Sequence, residues 1–147
     1  MYKHILLPTD GSELSMQAAR EAVALAKSSG ARITAFFAKP GYPQEYYDDG
    51  APTGPNTPEE FAKSTEKKAR RALDSVVELC KKAGVKAAKL SVDSDTPYQA
   101  IIDAAAKVDC DLIFMASHGR KGLGLMLLGS VTYKVLTHSK IPVLVHR

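Results

Sequence analysis

The sequence contains little of what marks the specialised protein classes. Its 147 residues include two cysteines, Cys80 and Cys110, and no tryptophan. Two thiols are too few for a disulfide framework, which excludes a small disulfide-rich domain. Pro8 and Asp10 interrupt the apolar start of the chain before it reaches the length of a signal peptide. No run approaches the roughly twenty apolar residues that span a bilayer, so we expect a cytoplasmic protein with reduced thiols.

The chain also lacks a strong excess of charge of either sign. It has 20 basic and 16 acidic residues, which give a formal net charge of +4. This excess is compatible with an anionic ligand but too small to indicate a dedicated nucleic-acid binder. Hydrophobic residues make up 45% of the chain and charged residues 24%, as in an ordinary globular protein. The length predicts a single domain over residues 1–147.

Apolar strands alternate with amphipathic helices along most of the chain. This alternation predicts a parallel sheet with helices on both faces. One strand, with the sequence LIFMA, is apolar throughout, which is typical of a strand that is buried on both sides. We therefore expect an α/β fold with a doubly wound parallel sheet of five strands. The predicted strands are 3–7, 32–38, 86–92, 112–116 and 142–145, and the predicted helices are 13–29, 58–83, 97–108 and 130–137.

Proline and glycine mark the helix starts and one long interruption. Thr57, Pro58 and Glu60 have the spacing of a capping box, and Thr96 with Gln99 repeats it at the third helix. Between residues 39 and 57, four prolines and three glycines exclude a helix or a central strand. We expect this segment to be a flexible insertion loop, either a lid or a disordered segment.

Two loops contain residues that suit an anionic ligand. In open α/β sheets, ligands bind at the carboxyl ends of the strands, where the strand order reverses. If the first and fourth strands are neighbours, residues 8–11 and the glycine-rich loop 117–129 border this crevice. Glycines let backbone N–H groups turn toward an anion, and the helix that opens at Gly129–Ser130 has an N-terminus that favours phosphate. Arg120 and Lys121 add positive charge, so we interpret the loop as a phosphate cradle; the alternative is a hydrophilic loop with flexible glycines.

Asp10 lies at the end of the first strand and has two alternative roles. A carboxylate repels phosphate, so it would face ribose hydroxyls, a base amine or a bound Mg²⁺. The alternative is that Asp10 caps the first helix. Several known motifs are absent from the sequence: there is no P-loop lysine and no dinucleotide fingerprint. The histidines have no metal-ligand spacing, so we expect no metal site formed by the protein alone.

With these motifs, the chain resembles the universal stress protein family over essentially its whole length. The opening LPTDGS, at residues 7–12, is similar to the start of that family. Its ATP-binding members have the motif G-x2-G-x9-G-[ST] after the fourth strand, which Gly119, Gly129 and Ser130 match here. Ala116 stands at the first glycine. We expect its methyl group to crowd the nucleoside at a cost of ~1–3 kcal/mol, which would weaken binding roughly ten- to a hundred-fold.

The resemblance implies a fold, a ligand and a partner. The fold is a five-stranded parallel sheet in the order 3-2-1-4-5, similar to that of the adenine nucleotide alpha hydrolases. The ligand is ATP or AMP, with Mg²⁺ as a companion ion that Asp10 would contact. The partner is a second copy of the chain, paired through the C-terminal strand at residues 141–145. The implied nucleotide-binding residues are Pro8, Thr9, Asp10, Ala38, Met115 and Ala116 toward the adenosine, and Gly119, Arg120, Gly129, Ser130 and Val131 toward the phosphates.

These features favour a nucleotide-binding regulatory protein of the stress response with little or no catalytic turnover. The sequence shows no Ser-His-Asp set and no P-loop lysine. Slow ATP hydrolysis is still compatible with the residues, because a clamped triphosphate needs only positioning and charge. The alternative is a dimeric interaction scaffold with a vestigial pocket. A third interpretation, an enzyme of adenylate chemistry, lacks the HIGH and SGGxDS signatures.

Three further features have two interpretations each. The basic run Lys67–Arg71 looks like a nucleic-acid patch, but acidic residues four positions before basic ones predict a solvated helix face. The pairs concerned are Glu59–Lys63, Glu66–Arg70 and Glu78–Lys82. His118 is either a solvent-facing residue or a phosphate contact. The tyrosines of the insertion either fold over a nucleotide or pack at a dimer interface; they are Tyr42, Tyr46 and Tyr47.

Overall fold

The computed structural model describes residues 1–119 and 128–147. Most of the predicted glycine-rich loop, including Arg120, lies outside the described residues. The strands are, in chain order, β1 His4–Pro8, β2 Arg32–Lys39, β3 Tyr47–Asp48, β4 Ala51–Pro52, β5 Ala87–Asp93, β6 Leu112–Ala116 and β7 Val143–His146. The helices are α1 Glu13–Ser29, α2 Pro58–Ala83, α3 Pro97–Lys107 and α4 Ser130–His138.

Five of the described strands form one parallel sheet in the order β5-β2-β1-β6-β7. When the two short strands β3 and β4 are left out of the numbering, this is the predicted order 3-2-1-4-5. The α/β fold class and the five-stranded parallel sheet are therefore confirmed. The predicted strand bounds differ from the observed ones by about one residue, as at the final strand, which begins at Val143 instead of Pro142.

Each face of the sheet has its own apolar cluster. The first cluster joins α1 and α2 to the sheet, and the second joins α3 and α4 to the opposite face. Along β6 the side chains alternate between the two: Phe114 and Ala116 belong to the first cluster, Ile113 and Met115 to the second. A strand buried on both faces is apolar throughout for this reason.

Two of the described helices begin at a residue whose side chain caps them. Ser12 caps α1. Thr57 caps α2 in a capping box with Glu60, as predicted. The capping box predicted at α3 is wrong. Thr96 has φ −122° and ψ 76°, outside the extended conformation that a capping side chain needs, and Gln99 donates to Asp103 instead.

α2 is amphipathic along its 26 residues. Its buried side chains include Ala69, Leu73, Val76 and Cys80, which lie at helical spacing against β2 and β5. Cys80 lies in the core, and burial raises the pKa of its thiol. In the part of the chain that the structure describes, no helix is long and apolar enough to cross a membrane.

The insertion between β2 and α2 contains regular structure that the sequence did not predict. Residues Gln44–Tyr46 form a 3-10 turn, and β3 and β4 form a short antiparallel hairpin. Tyr42 holds the segment together: its hydroxyl donates to the carbonyl of Asn56 at 2.7 Å and accepts the amide of Gly54 at 3.2 Å. Its ring packs edge-on against Phe61 of α2, with 5.7 Å between centroids. The insertion is thereby attached to the first turns of α2.

Candidate functional site

A crevice opens between β1 and β6 at their carboxyl ends. The described pairing of these two strands ends at Leu6 and Ile113. β1 stays paired with β2 as far as Pro8, and β6 stays paired with β7 as far as Ala116. Proline has no N–H to donate to a ladder, which suits the point where β1 leaves β6. The strand order reverses here, which is where open α/β sheets bind their ligands.

The first wall of the crevice is the turn that follows β1. Thr9 is 7% exposed, and its hydroxyl is hydrogen-bonded to the Ser15 hydroxyl at 3.0 Å and accepts the Gly11 amide at 3.1 Å. The Thr9 side chain therefore fixes the turn. Asp10 accepts the Ser12 amide through Oδ1 at 2.9 Å. Because Ser12 is the N-cap of α1, the structure rules out the alternative in which Asp10 caps that helix.

The second wall is the start of the glycine-rich loop, and it touches the first wall at Gly119. A Cβ placed on Gly119 would lie 2.7 Å from Oδ2 of Asp10. Such a distance is too short for a side-chain carbon, so glycine permits the close approach of the two loops. Two predicted site residues from opposite ends of the sequence are thus brought together at the mouth of the crevice.

Gly129 allows a second close approach, between the start of α4 and the same loop. A Cβ at Gly129 would lie 3.4 Å from the His118 Cα and from the Ser117 carbonyl oxygen. The Gly129 amide donates to that carbonyl at 2.7 Å. Because its N–H group is already used within the protein, Gly129 is not a donor for a ligand. Its contribution to the site is the space left by the missing side chain.

The N-terminus of α4 provides the donors that a phosphate needs. Gly129 is its N-cap, and no side-chain hydrogen bond caps this helix among the described residues. The first amides of any helix have no intrahelical acceptor, so those of Ser130, Val131 and Thr132 are available to an external one. The helix dipole adds about half a positive charge at this end. The Ser130 side chain is exposed and lies next to these amides.

Three of the predicted adenosine-side and phosphate-side residues share one face of the sheet. Met115 is buried in the α3–α4 cluster, and the half-buried Ala38 and Val131 pack against this cluster. The Ala116 methyl group belongs to the α1–α2 cluster instead. On this strand the Ala116 methyl group thus points away from the face on which Ala38, Met115 and Val131 lie, because successive strand residues point to opposite faces. The expectation that this methyl group crowds the nucleoside stays a prediction.

One residue of the site was missed in the sequence. The Thr132 hydroxyl donates to the Ala116 carbonyl at 2.9 Å, and both groups are buried. This bond fixes the N-terminus of α4 against the end of β6. A threonine two residues after a helix-opening Gly-Ser was the available signal, but the hydroxyl partner lies 16 residues away and no local pattern indicates it.

The described ionisable groups near the site form a polar surface. His118 is half-buried, and its Nδ1 lies 2.9 Å from the Ser117 hydroxyl. Cys110 lies at the other end of β6, where burial and the neighbouring Asp111 raise the pKa of its thiol to about 12. Within the described residues, no group of three or more His, Cys, Asp or Glu could hold a metal ion. The arrangement is suited to binding an anion.

Comparison with known proteins assigns the family. A sequence model of the universal stress protein family matches residues 1–147. The chain belongs to the universal stress protein family. It is 32% identical to universal stress protein MJ0531 of Methanocaldococcus jannaschii, over 99% of this chain and 82% of that protein.

Solved structures agree with the family in fold. The hypothetical protein MJ0577 is 28% identical to this universal stress protein, with a TM-score of 0.81 over 99% of this chain and 95% of that one. A universal stress protein solved in complex with cAMP is 25% identical, with a TM-score of 0.71 over 99% of this chain and 97% of that one. The resemblance inferred from LPTDGS and the glycine motif is thus confirmed for the family and the fold.

Proposed function

We propose that this universal stress protein binds an adenine nucleotide, ATP or AMP, in the crevice between β1 and β6. The observation that carries the proposal is the separation of these strands beside the uncapped N-terminus of α4. The solved relative that is in complex with cAMP supports an adenine nucleotide as the ligand class. The family supports a role in the stress response.

The residues present fit the parts of such a ligand. The apolar surface of Ala38 and Val131, with Met115 beneath it, suits an adenosine. Asp10 suits ribose hydroxyls or a Mg²⁺ ion that accompanies the phosphates, since a carboxylate accepts hydrogen bonds and binds hard cations. The amides of Ser130 and Val131 suit the phosphates. Pro8, Thr9 and Gly119 form the surrounding walls. Gly129 has no side chain, which lets the start of α4 lie close to His118.

The proposal includes regulation by binding, with little or no turnover. Phosphoryl transfer needs a group that orients the attacking water and a charge that stabilises the transition state. The described walls of the crevice contribute main-chain amides, the Ser130 hydroxyl and the Asp10 carboxylate, which bind and position without supplying an evident base. Slow hydrolysis remains compatible with this set, since positioning alone accelerates the reaction to some extent.

The proposal also includes a homodimer that forms through β7, in the cytoplasm. β7 is the last strand of the sheet, and in the described part of the chain no strand pairs with its outer edge. Leu144 on this strand is exposed, as are Tyr133 and Leu136 on the neighbouring α4. An apolar edge strand is a ready template for pairing with another chain. A second copy that adds its own β7 would bury these side chains and continue the sheet.

The scaffold alternative, with a vestigial pocket, is motivated by Ala116 and by the absence of a P-loop lysine. We prefer the nucleotide-binding proposal, because the Ala116 methyl group packs in the α1–α2 cluster, on the face opposite to Met115.

Two measurements test the proposal. Mass spectrometry of the small molecules released from freshly purified protein should detect an adenine nucleotide in stoichiometric amount. Calorimetric titration of the emptied protein with Mg·ATP and with AMP should give heat that saturates at one nucleotide per chain. An absence of heat at millimolar nucleotide, together with an unchanged thermal unfolding temperature, would contradict the proposal.

A further inference from the structure

A second cavity, of about 810 Å³, lies on the α2 side of the sheet. It opens between the first half of α2 and the residues that follow β2, at the carboxyl ends of β2 and β5. Lys39 lines it, whereas the preceding residue, Ala38, packs on the opposite face of the sheet. None of the predicted nucleotide-binding residues that the structure describes lines the cavity. Its volume falls within the roughly 300–1,000 Å³ of pockets for small molecules.

The walls of the cavity are apolar and held in place. Pro40 and Tyr42 form one side, and Phe61 and Ala62 of α2 form the other. The Tyr42 ring packs edge-on against Phe61, and its hydroxyl makes two hydrogen bonds within the insertion. A wall fixed in this way loses little conformational freedom when a ligand binds.

The charges around the cavity do not balance. Lys39 is neutralised, because its Nζ lies 2.8 Å from Glu66 and 3.5 Å from Asp93. Lys63 and Lys67 also line the cavity, one helical turn apart, and neither forms a salt bridge with any described residue.

The ion pairs predicted along α2 form only in part, and this leaves the positive charge in place. All three predicted pairs lie in the described part of the chain. In the pair Glu66–Arg70, the guanidinium nitrogen lies 3.8 Å from the carboxylate oxygen, within the 4.0 Å limit of an ion pair. The Glu59–Lys63 pair, which would have neutralised one lysine of the cavity, does not come within this limit. The predicted solvated face of the basic run is divided: Lys67 and Arg70 line the cavity, whereas Lys68 and Arg71 lie outside it.

We propose that this cavity is a second binding site, which takes a small amphipathic anion. Its apolar or aromatic body would lie against Tyr42 and Phe61. Its head group, a carboxylate, sulfonate or phosphate, would pair with Lys63 and Lys67, because these cations have no anionic partner in the described protein. The cavity shares no described lining residue with the crevice between β1 and β6.

A matched pair of fluorescent probes tests both parts of the site. The sulfonate 8-anilinonaphthalene-1-sulfonate and the uncharged N-phenyl-1-naphthylamine share one aromatic body and differ in the anionic group. We expect both to bind the folded protein and the sulfonate to bind more tightly. Lys63→Ala combined with Lys67→Ala should weaken the sulfonate roughly two- to thirty-fold, the loss of two surface ion pairs. The same change should leave the uncharged probe unaffected.

Control variants separate this site from general charge and from the crevice. Lys68→Ala combined with Arg71→Ala removes the same charge from the outer face of α2, and it should leave sulfonate binding unchanged. Ala62→Trp, a substitution at an exposed helix position that lines the cavity, should weaken both probes by filling the space. Saturating Mg·ATP should not displace either probe. The proposal is overturned if the outer-face control weakens the sulfonate as much as the cavity variant, or if Mg·ATP displaces the probes.

Discussion

Gly129→Val tests whether the close approach of α4 and the glycine-rich loop is needed for binding. The backbone of Gly129 has φ −68° and ψ 159°, which valine adopts without strain. Its Cβ would already lie 3.4 Å from the His118 Cα and the Ser117 carbonyl oxygen. The two γ-methyl groups must enter the remaining space, and overpacking of this kind costs about 1–3 kcal/mol. If the strain moves the loop away from the helix N-terminus, nucleotide affinity falls by about five- to a hundred-fold.

Calorimetric titration with Mg·ATP measures this loss, and two variants control it. Gly129→Ala adds a Cβ near the limit of an ordinary contact, so it should weaken binding less than valine does. Gly84→Ala lies at the end of α2, where φ is +75° and no described atom would contact the new Cβ within 4 Å. It should lower the unfolding free energy by about 1 kcal/mol without changing affinity. Wild-type affinity in Gly129→Val would refute the reasoning.

Three further predictions concern separate parts of the molecule. Ala116→Gly should lower the unfolding free energy by about 1 kcal/mol through the lost methyl burial and added chain entropy, yet change nucleotide affinity by less than about three-fold. A ten-fold gain in affinity would instead support the expectation that the Ala116 methyl group crowds the nucleoside. Burial, and then the Arg32 charge, lower the pKa of the His4 side chain from 6.5. Urea unfolding should therefore show the full stability above about pH 6.5 and a loss of stability at lower pH, because the unfolded chain binds the proton more readily. His4→Gln should flatten this pH dependence. Leu144→Lys should convert the proposed dimer to a monomer in sedimentation analysis, while the far-ultraviolet dichroism stays that of the folded chain.

Local signals in the sequence were sufficient for the positions of the four helices and of the five strands of the main sheet. The capping box at Thr57 and the uninterrupted apolar β6 lie where the residues predicted, and left-handed glycines end α1 and α2. Each is decided within a few residues, by a hydrogen bond to a nearby amide or by the conformational freedom of glycine. The family motif then fixed the strand order, which local signals alone do not determine.

Features that depend on contacts between distant residues could not be predicted. The Lys39–Glu66 ion pair joins residues 27 positions apart, and no spacing rule indicates it. The face to which Ala116 points was also hidden, because a strand that is apolar on both sides shows no alternation from which to read its orientation. The Tyr42 hydrogen bonds stabilise a hairpin in a segment whose prolines and glycines indicated irregular structure.

The most direct test of where the nucleotide lies is a titration of isotope-labelled protein with Mg·ATP, in which the amide chemical shifts are recorded. If the phosphates accept hydrogen bonds from the start of α4, the largest changes will occur at Gly119, Ser130 and Val131, and the amides of Lys63 and Lys67 will stay unchanged. Saturable binding that leaves the first amides of α4 unmoved would contradict the account, since the ligand would then lie elsewhere on the protein.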